Sequence, residues 1–224
     1  MRPVEKGNSS QVFTHWRDAR DPLIAKIGNY CSYCERPLDI PDVEHKENKA
    51  NPKYANKAFD WSNFLLACGY CNSVKGTEDT GARSVLFPDE CNTAFAFEYL
   101  PLGPVHVAAG IVSPSDKQAA EDTRTWLLKL NRSKDTNGNR DLRWSGRLDA
   151  WREAEQSLRN LCDCDSTQMR DQVTRTAKGC GYFSVWMAVF DSDSDMKQRF
   201  IAVFTGTHLS CYNPDGSVKQ TLIR

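Results

Sequence analysis

The sequence predicts an α+β chain in which a small, cysteine-stapled module of short strands is embedded in a mainly α-helical polypeptide. Three observations predict it. Two C-x-x-C pairs, Cys31/Cys34 and Cys68/Cys71, stand 33 residues apart. The stretch between them holds short extended runs and no long helical period. The second half of the chain repeats apolar residues at helical spacing behind readable caps.

The 224 residues are 40% hydrophobic and include six tryptophans, enough to bury a real core in one large or two small domains. Twenty-nine basic residues balance 29 acidic ones. That excludes a protein that grips nucleic acid by bulk charge, so any such contact falls to local patches or to a partner. Met1 to Gly7 is polar with no apolar stretch behind it, unlike a secretory signal. The apolar run Phe64-Leu65-Leu66-Ala67-Cys68 is far too short to span a membrane. Four of nine cysteines fall in C-x-x-C pairs, which reads as metal binding in a reducing, cytoplasmic setting.

Three segments follow: an N-terminal helical segment over 1–30, the stapled module over 31–100 and a helical region over 101–224. In the first, Trp16, Ala19, Leu23 and Ile27 predict a helix over about 14–27, with Pro22 breaking or restarting it. Residues 77–113, rich in Gly, Pro, Asn and Asp, read as loops with an extended piece over 94–100. Ser113-Pro114-Ser115-Asp116 starts a helix lined by Ala119, Ala120, Thr123, Leu127 and Leu130. A second helix over about 142–161 carries Leu148, Trp151, Leu158 and Leu161 as its apolar stripe. Asp165-Ser166 caps a third, containing Met169, Val173 and Ala177, and 182–190 and 196–204 read as two more buried helices. Charge divides unevenly: residues 37–100 hold six basic and ten acidic side chains, residues 124–178 twelve and eight.

Two-residue spacing lets both thiolates of a pair face one ion, and two pairs complete a tetrahedral S4 site. Soft thiolates in closed geometry select zinc and leave no open position, so Cys31, Cys34, Cys68 and Cys71 predict a structural Zn²⁺. A plain zinc ribbon used only for binding has the same four ligands. The loop between the pairs decides.

That loop carries Val43-Glu44-His45 and Trp61-Ser62-Asn63-Phe64-Leu65-Leu66-Ala67-Cys68, then Cys71-Asn72-Ser73-Val74-Lys75-Gly76. The combination C-x-x-C, V-[DE]-H, N-x-L-x-x-C and C-x-x-C-N-x-x-K-G resembles the HNH (ββα-metal) nuclease superfamily. Phosphodiester hydrolysis needs a base to activate water and a divalent cation to neutralise phosphate charge. His45, the one histidine between the knuckles, is the candidate base. The resemblance implies that Glu44 and Asn72 ligate the catalytic cation, and oxygen donors favour Mg²⁺ or Mn²⁺. It also implies that Asn63 shapes the loop and orients His45. The final ligand is Asn rather than His, and the first is Glu rather than the commoner Asp. Lys75 reads as a phosphate contact or a solvated helix residue, and Trp61 as a core anchor beside the second strand.

Beyond the module, Met1-Arg2-Pro3-Val4-Glu5-Lys6-Gly7, Tyr30-Cys31-Ser32-Tyr33-Cys34-Glu35-Arg36, Pro88-Asp89, Asn92-Thr93, Arg143-Trp144 with Arg147 and Trp151, and Gly181-Tyr182-Phe183-Ser184-Val185-Trp186-Met187 extend the likeness. Together they are similar to the HNH subunit of Septu-type anti-phage defence systems, also found beside some retrons. That implies a DNA endonuclease gated by an ABC/SMC-like ATPase partner. The helical half, with Arg140, Arg143 and Arg147, is then the candidate docking surface. The alternatives are an HNH nuclease acting on RNA and a zinc-stabilised nucleic-acid-binding adaptor that does not cut. His15, His106 and His208 lie in no ligand spacing, Cys162-Asp163-Cys164 has no evident partner ligands, and Cys91, Cys180 and Cys211 read as small hydrophobes.

Overall fold

The computed structural model builds the module on a hairpin of two four-residue strands. It pairs β1 (Asp42–His45) with β2 (Phe64–Ala67) antiparallel, in the register Asp42↔Ala67, Glu44↔Leu65 and His45↔Phe64. The structure describes residues 1–132, 138 and 141–222. β2 reads Phe-Leu-Leu-Ala and is buried along its whole length, so it runs as a continuous apolar strand rather than an alternating one. Immediately after it, the Cys68 sulfur accepts the Cys71 amide and caps α2 (Gly69–Lys75).

The N-terminal segment packs on this hairpin. A 3₁₀ turn (Trp16–Ala19) runs directly into α1 (Arg20–Ile27). Pro22 therefore restarts the helix: as the third residue of α1 it lacks an N–H that the first turn leaves unbonded anyway. Leu23 and Ile27 of α1 share one core with Val43, Leu65 and Leu66 of the hairpin and with Leu127, Leu128 and Leu130 further on.

Over 94–100 the expected extended piece is only half realised. Asn92 accepts the Phe95 amide and forces one helical turn, α3 (Thr93–Ala96), before β3 (Phe97–Tyr99) pairs with β4 (Val105–Val107). α4 (Pro114–Glu121) starts at Ser113, whose hydroxyl caps the Asp116 amide, and continues as a π-helical turn over Asp122–Leu127.

The rest is helical: α5 (Leu142–Asp163), α6 (Thr167–Cys180), α7 (Phe183–Val189) and α8 (Ser194–Val203). Trp186, Phe190 and Phe200 interlock at centroid distances of 5.3–6.2 Å and centre a second core. The buried stripe of α5 differs from the predicted one. Its inward residues are Arg143, Arg147, Ala150, Ala154, Ser157 and Leu161, while Leu148, Trp151 and Leu158 are only partly covered. Two arginines occupy core positions because backbone carbonyls receive them: Leu128 and Lys129 for Arg143, Leu130 and Gly103 for Arg147. The surface on which a partner was expected to dock therefore lacks both side chains, and Arg140 lies outside the described residues. Among the described residues no helix is long and apolar enough to cross a membrane.

Candidate active site and metal centre

The two knuckles converge. The sulfurs of Cys31, Cys34, Cys68 and Cys71 all lie within 4.8 Å of one another and all four residues are buried. Each pair folds around its own sulfur, with the Cys34 amide 3.5 Å from Cys31 Sγ and the Cys71 amide 3.4 Å from Cys68 Sγ. Four sulfurs so crowded cannot all ionise unaided. Hydrogen bonds to Cys31 and to one another push the Cys68 thiol down and the Cys34 and Cys71 thiols up. A tetrahedral cation of matching softness removes that conflict, so the donor set fits Zn²⁺.

Behind the sulfurs stands a cation that the sequence places on the surface. Arg143 reaches to 3.7 Å from Cys71 Sγ, lies 4.7 Å over the Tyr70 ring and pairs with Asp141, with both charged side chains fully buried. A positive group against one thiolate offsets part of the excess negative charge of an S4 centre.

His45 sits at the end of β1, only 7% exposed, with its ring edge-on to Phe64 at 5.1 Å and to Trp16 at 5.7 Å. Its Nε2 is 3.0 Å from the Ala58 carbonyl. A carbonyl only accepts, so the proton resides on Nε2, and Nδ1 makes no hydrogen bond among the described residues. Burial, against the pull of the Ala58 bond and aided by Lys49 and Lys75, lowers the imidazole pKa to about 4. At neutral pH His45 is thus an uncharged base of one defined tautomer.

Asn63 governs this geometry from a distance. Its side chain accepts the Glu47 amide and donates to the carbonyls of Glu47 and Lys57. Those bonds clamp the 46–58 loop whose end supplies the Ala58 carbonyl. Asn63 thus reaches His45 only through that loop and makes no hydrogen bond to the ring among the described residues. Trp61, 8% exposed, stacks on Phe13 and donates its indole N–H to the Gly7 carbonyl, the anchor role expected of it.

Two expectations about the cation pair need correcting. Glu44 is 2% exposed and both its oxygens are engaged, Oε1 with the Lys75 ammonium at 2.7 Å and Oε2 with the Tyr33 hydroxyl at 2.5 Å. Asn72 instead directs its amide to Asp42 Oδ2 at 3.3 Å. On α2 it is Lys75 that meets Glu44, while Asn72 pairs with Asp42, so Glu44 keeps no open oxygen for a cation shared with Asn72. Lys75 is neither a phosphate contact nor a solvated residue. It is 2% exposed, locked between Glu44 and the His45 carbonyl. Lys75→Met is expected to cost about 3–5 kcal/mol by stranding a buried carboxylate. Adding Glu44→Gln should recover most of the loss, as urea unfolding of the single and double variants will show.

Sequence reasoning missed Tyr33, Ala58 and Trp16. The Ala58 contribution is a backbone carbonyl with no residue signature. Tyr33 and Trp16 read as ordinary aromatics until the fold sets them beside Glu44 and His45.

Residues 31–78 match the HNH endonuclease family model. The match spans both knuckles, the hairpin and α2, and it implies nuclease-type chemistry for this domain. No curated protein matches the chain.

Proposed function

We propose that the protein is a metal-dependent HNH endonuclease that hydrolyses phosphodiester bonds of DNA, acting as the effector subunit of an anti-phage defence complex with an ABC/SMC-like ATPase. The observation that carries the nuclease reading is His45: neutral, fixed in tautomer by Ala58, with no hydrogen bond at Nδ1 among the described residues, inside a matched HNH domain. In the reaction Nδ1 takes the proton of the attacking water as its oxygen bonds to phosphorus. The bond to the leaving sugar oxygen breaks and that oxygen takes a proton from solvent, while Nε2–H stays on the Ala58 carbonyl and holds the ring in place as it becomes imidazolium. A divalent cation, where one is held, would supply charge neutralisation at the phosphate. Oxygen donors at Asp42, Glu44 and Asn72 favour Mg²⁺ or Mn²⁺ over softer ions. Glu44 joins such an ion only by releasing Lys75, so the pair as it stands does not fit one, and the mechanism rests on His45 alone.

DNA and the ATPase rest on the likeness of the flanking motifs to defence-system subunits. A net charge of zero supports a subunit whose grip on nucleic acid is shared with a partner. A second reading, a zinc-stabilised adaptor that does not cut, is favoured by the closed Glu44–Lys75 pair.

The test is cleavage of plasmid DNA and of RNA by the purified chain, with Mg²⁺ or Mn²⁺, with and without an ABC/SMC-like ATPase subunit of the proposed complex. Wild type should cut DNA and His45→Ala should not. Equal cutting by both removes His45 as the base. Absence of any product under every condition leaves the adaptor.

A further inference from the structure

The five lysines between residues 37 and 76 are not alike. Lys46 pairs with Asp89 and Glu90, Lys53 with Asp79, Lys57 with Glu47 and Lys75 with Glu44. Lys49 has no carboxylate partner among the described residues. Its ammonium instead lies 3.6 Å from the centroid of the Trp16 indole. The same ring carries the guanidinium of Arg17 at 4.7 Å, and Arg17 likewise has no acidic partner among the described residues. Both side chains are exposed.

This placement has a local cause. The His15 side chain accepts the Arg17 amide and fixes the turn that presents Trp16, and the His15 ring stacks on the indole at 5.6 Å. Trp16 then meets His45 edge-on at 5.7 Å. One indole thus holds two cations against the candidate base. Like charges gathered on one ring repel each other, and burial and then Arg17 lower the Lys49 pKa. An exposed pair of unneutralised cations in an otherwise acidic module calls for an anion. A cation–π contact fixes where the cations sit without consuming their charge, so they stay available to phosphate oxygens.

We infer that Arg17 and Lys49, carried on the Trp16 indole, form a phosphate clamp that seats the DNA backbone against His45. The inference rests on the reading of the chain as a DNA nuclease and names the substrate contacts of that site. They lie outside the paired lysines of the module, and Arg17 lies outside the matched domain. The clamp reads no bases. It sets the register of the backbone, and its loss weakens binding alike for all sequences.

The experiment is fluorescence anisotropy of a labelled DNA duplex with the whole zinc-loaded chain carrying His45→Ala, so that nothing is cut during titration. Arg17→Gln and Lys49→Gln should each weaken binding. The double variant should flatten the slope of log K against log salt by about 2, at about 0.9 per phosphate contact. Lys53→Gln, which removes an exposed but ion-paired lysine, should leave affinity and slope unchanged. The proposal falls if the double variant keeps the parent affinity and slope, or if the parent does not bind DNA at all. It also falls if only RNA binding depends on the two cations. Cleavage is scored separately with His45 restored. DNA held through Arg17 and Lys49 but never cut defeats the nuclease reading and leaves the clamp standing. DNA cut at the parent rate by the double variant defeats the clamp and leaves the nuclease.

Discussion

Replacing His45 by alanine is expected to slow DNA cleavage by about 10²–10⁴-fold, the usual contribution of a positioned general base. The geometry makes a second demand on the same residue. Because burial holds the imidazole pKa near 4, the base is already unprotonated across the range where an ordinary histidine, near 6.5, is half charged. The acid limb of the kcat/KM profile should therefore lie well below pH 6 and not around 6.5. Stability moves in the same direction. A pKa depressed in the fold favours the neutral form, so its contribution is fully present above about 6.5 and is lost as pH falls toward 4. A pH–rate profile with its acid limb at 6.5, in a protein whose zinc content is constant over that range, removes the buried neutral histidine from the mechanism. Zinc content and thermal unfolding of His45→Ala separate loss of the base from loss of the fold.

The parts of the fold that were legible are those in which a side chain announces its own local bond. Ser113 and Ser166 each cap the helix they precede. The cysteine spacing placed four sulfurs on one point. The parts that were not legible are those in which a charged residue turns inward. Arg143 and Arg147 sit at the helical spacing of a buried stripe, but a guanidinium scores as surface. Only carbonyls arriving from 103 and 128–130 make the interior tolerable for them. Lys75 hides in the same way, because its partner Glu44 lies 31 residues earlier and the register of β1 against α2 decides their meeting. Asn63 shows the intermediate case. Its role in shaping the loop is readable, but the route to His45 runs through a backbone carbonyl at Ala58, to which no residue type points. The clamp on Trp16 was invisible for a related reason. That Lys49 has no carboxylate partner among the described residues becomes meaningful only when the other four lysines are seen to be paired.

Removing the Zn²⁺ that the four-sulfur cluster could hold, by chelator or by Cys68→Ser, carries the largest expected effect on the fold. Structural zinc bound by four thiolates contributes about 10 kcal/mol or more, comparable with the whole stability of a domain. The hairpin it closes has two four-residue strands, too little to persist unaided. The damage should not stop at the module. Glu35, directly after Cys34 and held at φ 65°, accepts the Ser184 amide and hydroxyl and the Arg2 amide, and its own carbonyl receives the Tyr182 amide. Arg143 joins Cys71 to α5 in the same way. When the knuckles open, these links to α5 and α7 lose their anchor. The second core around Trp186, Phe190 and Phe200 holds none of the four cysteines and should keep its helices. Hydrogen exchange on the chelated protein should then show lost protection over 31–76 and at the start of α7, with α6 and α8 still protected. Far-UV circular dichroism should retain most of its helical signal. Full protection over 31–76 after complete loss of zinc shows that the four cysteines do not hold this fold together. Loss of protection throughout the chain shows that the two cores unfold as one, and that the zinc stabilises α6 and α8 as well as the hairpin.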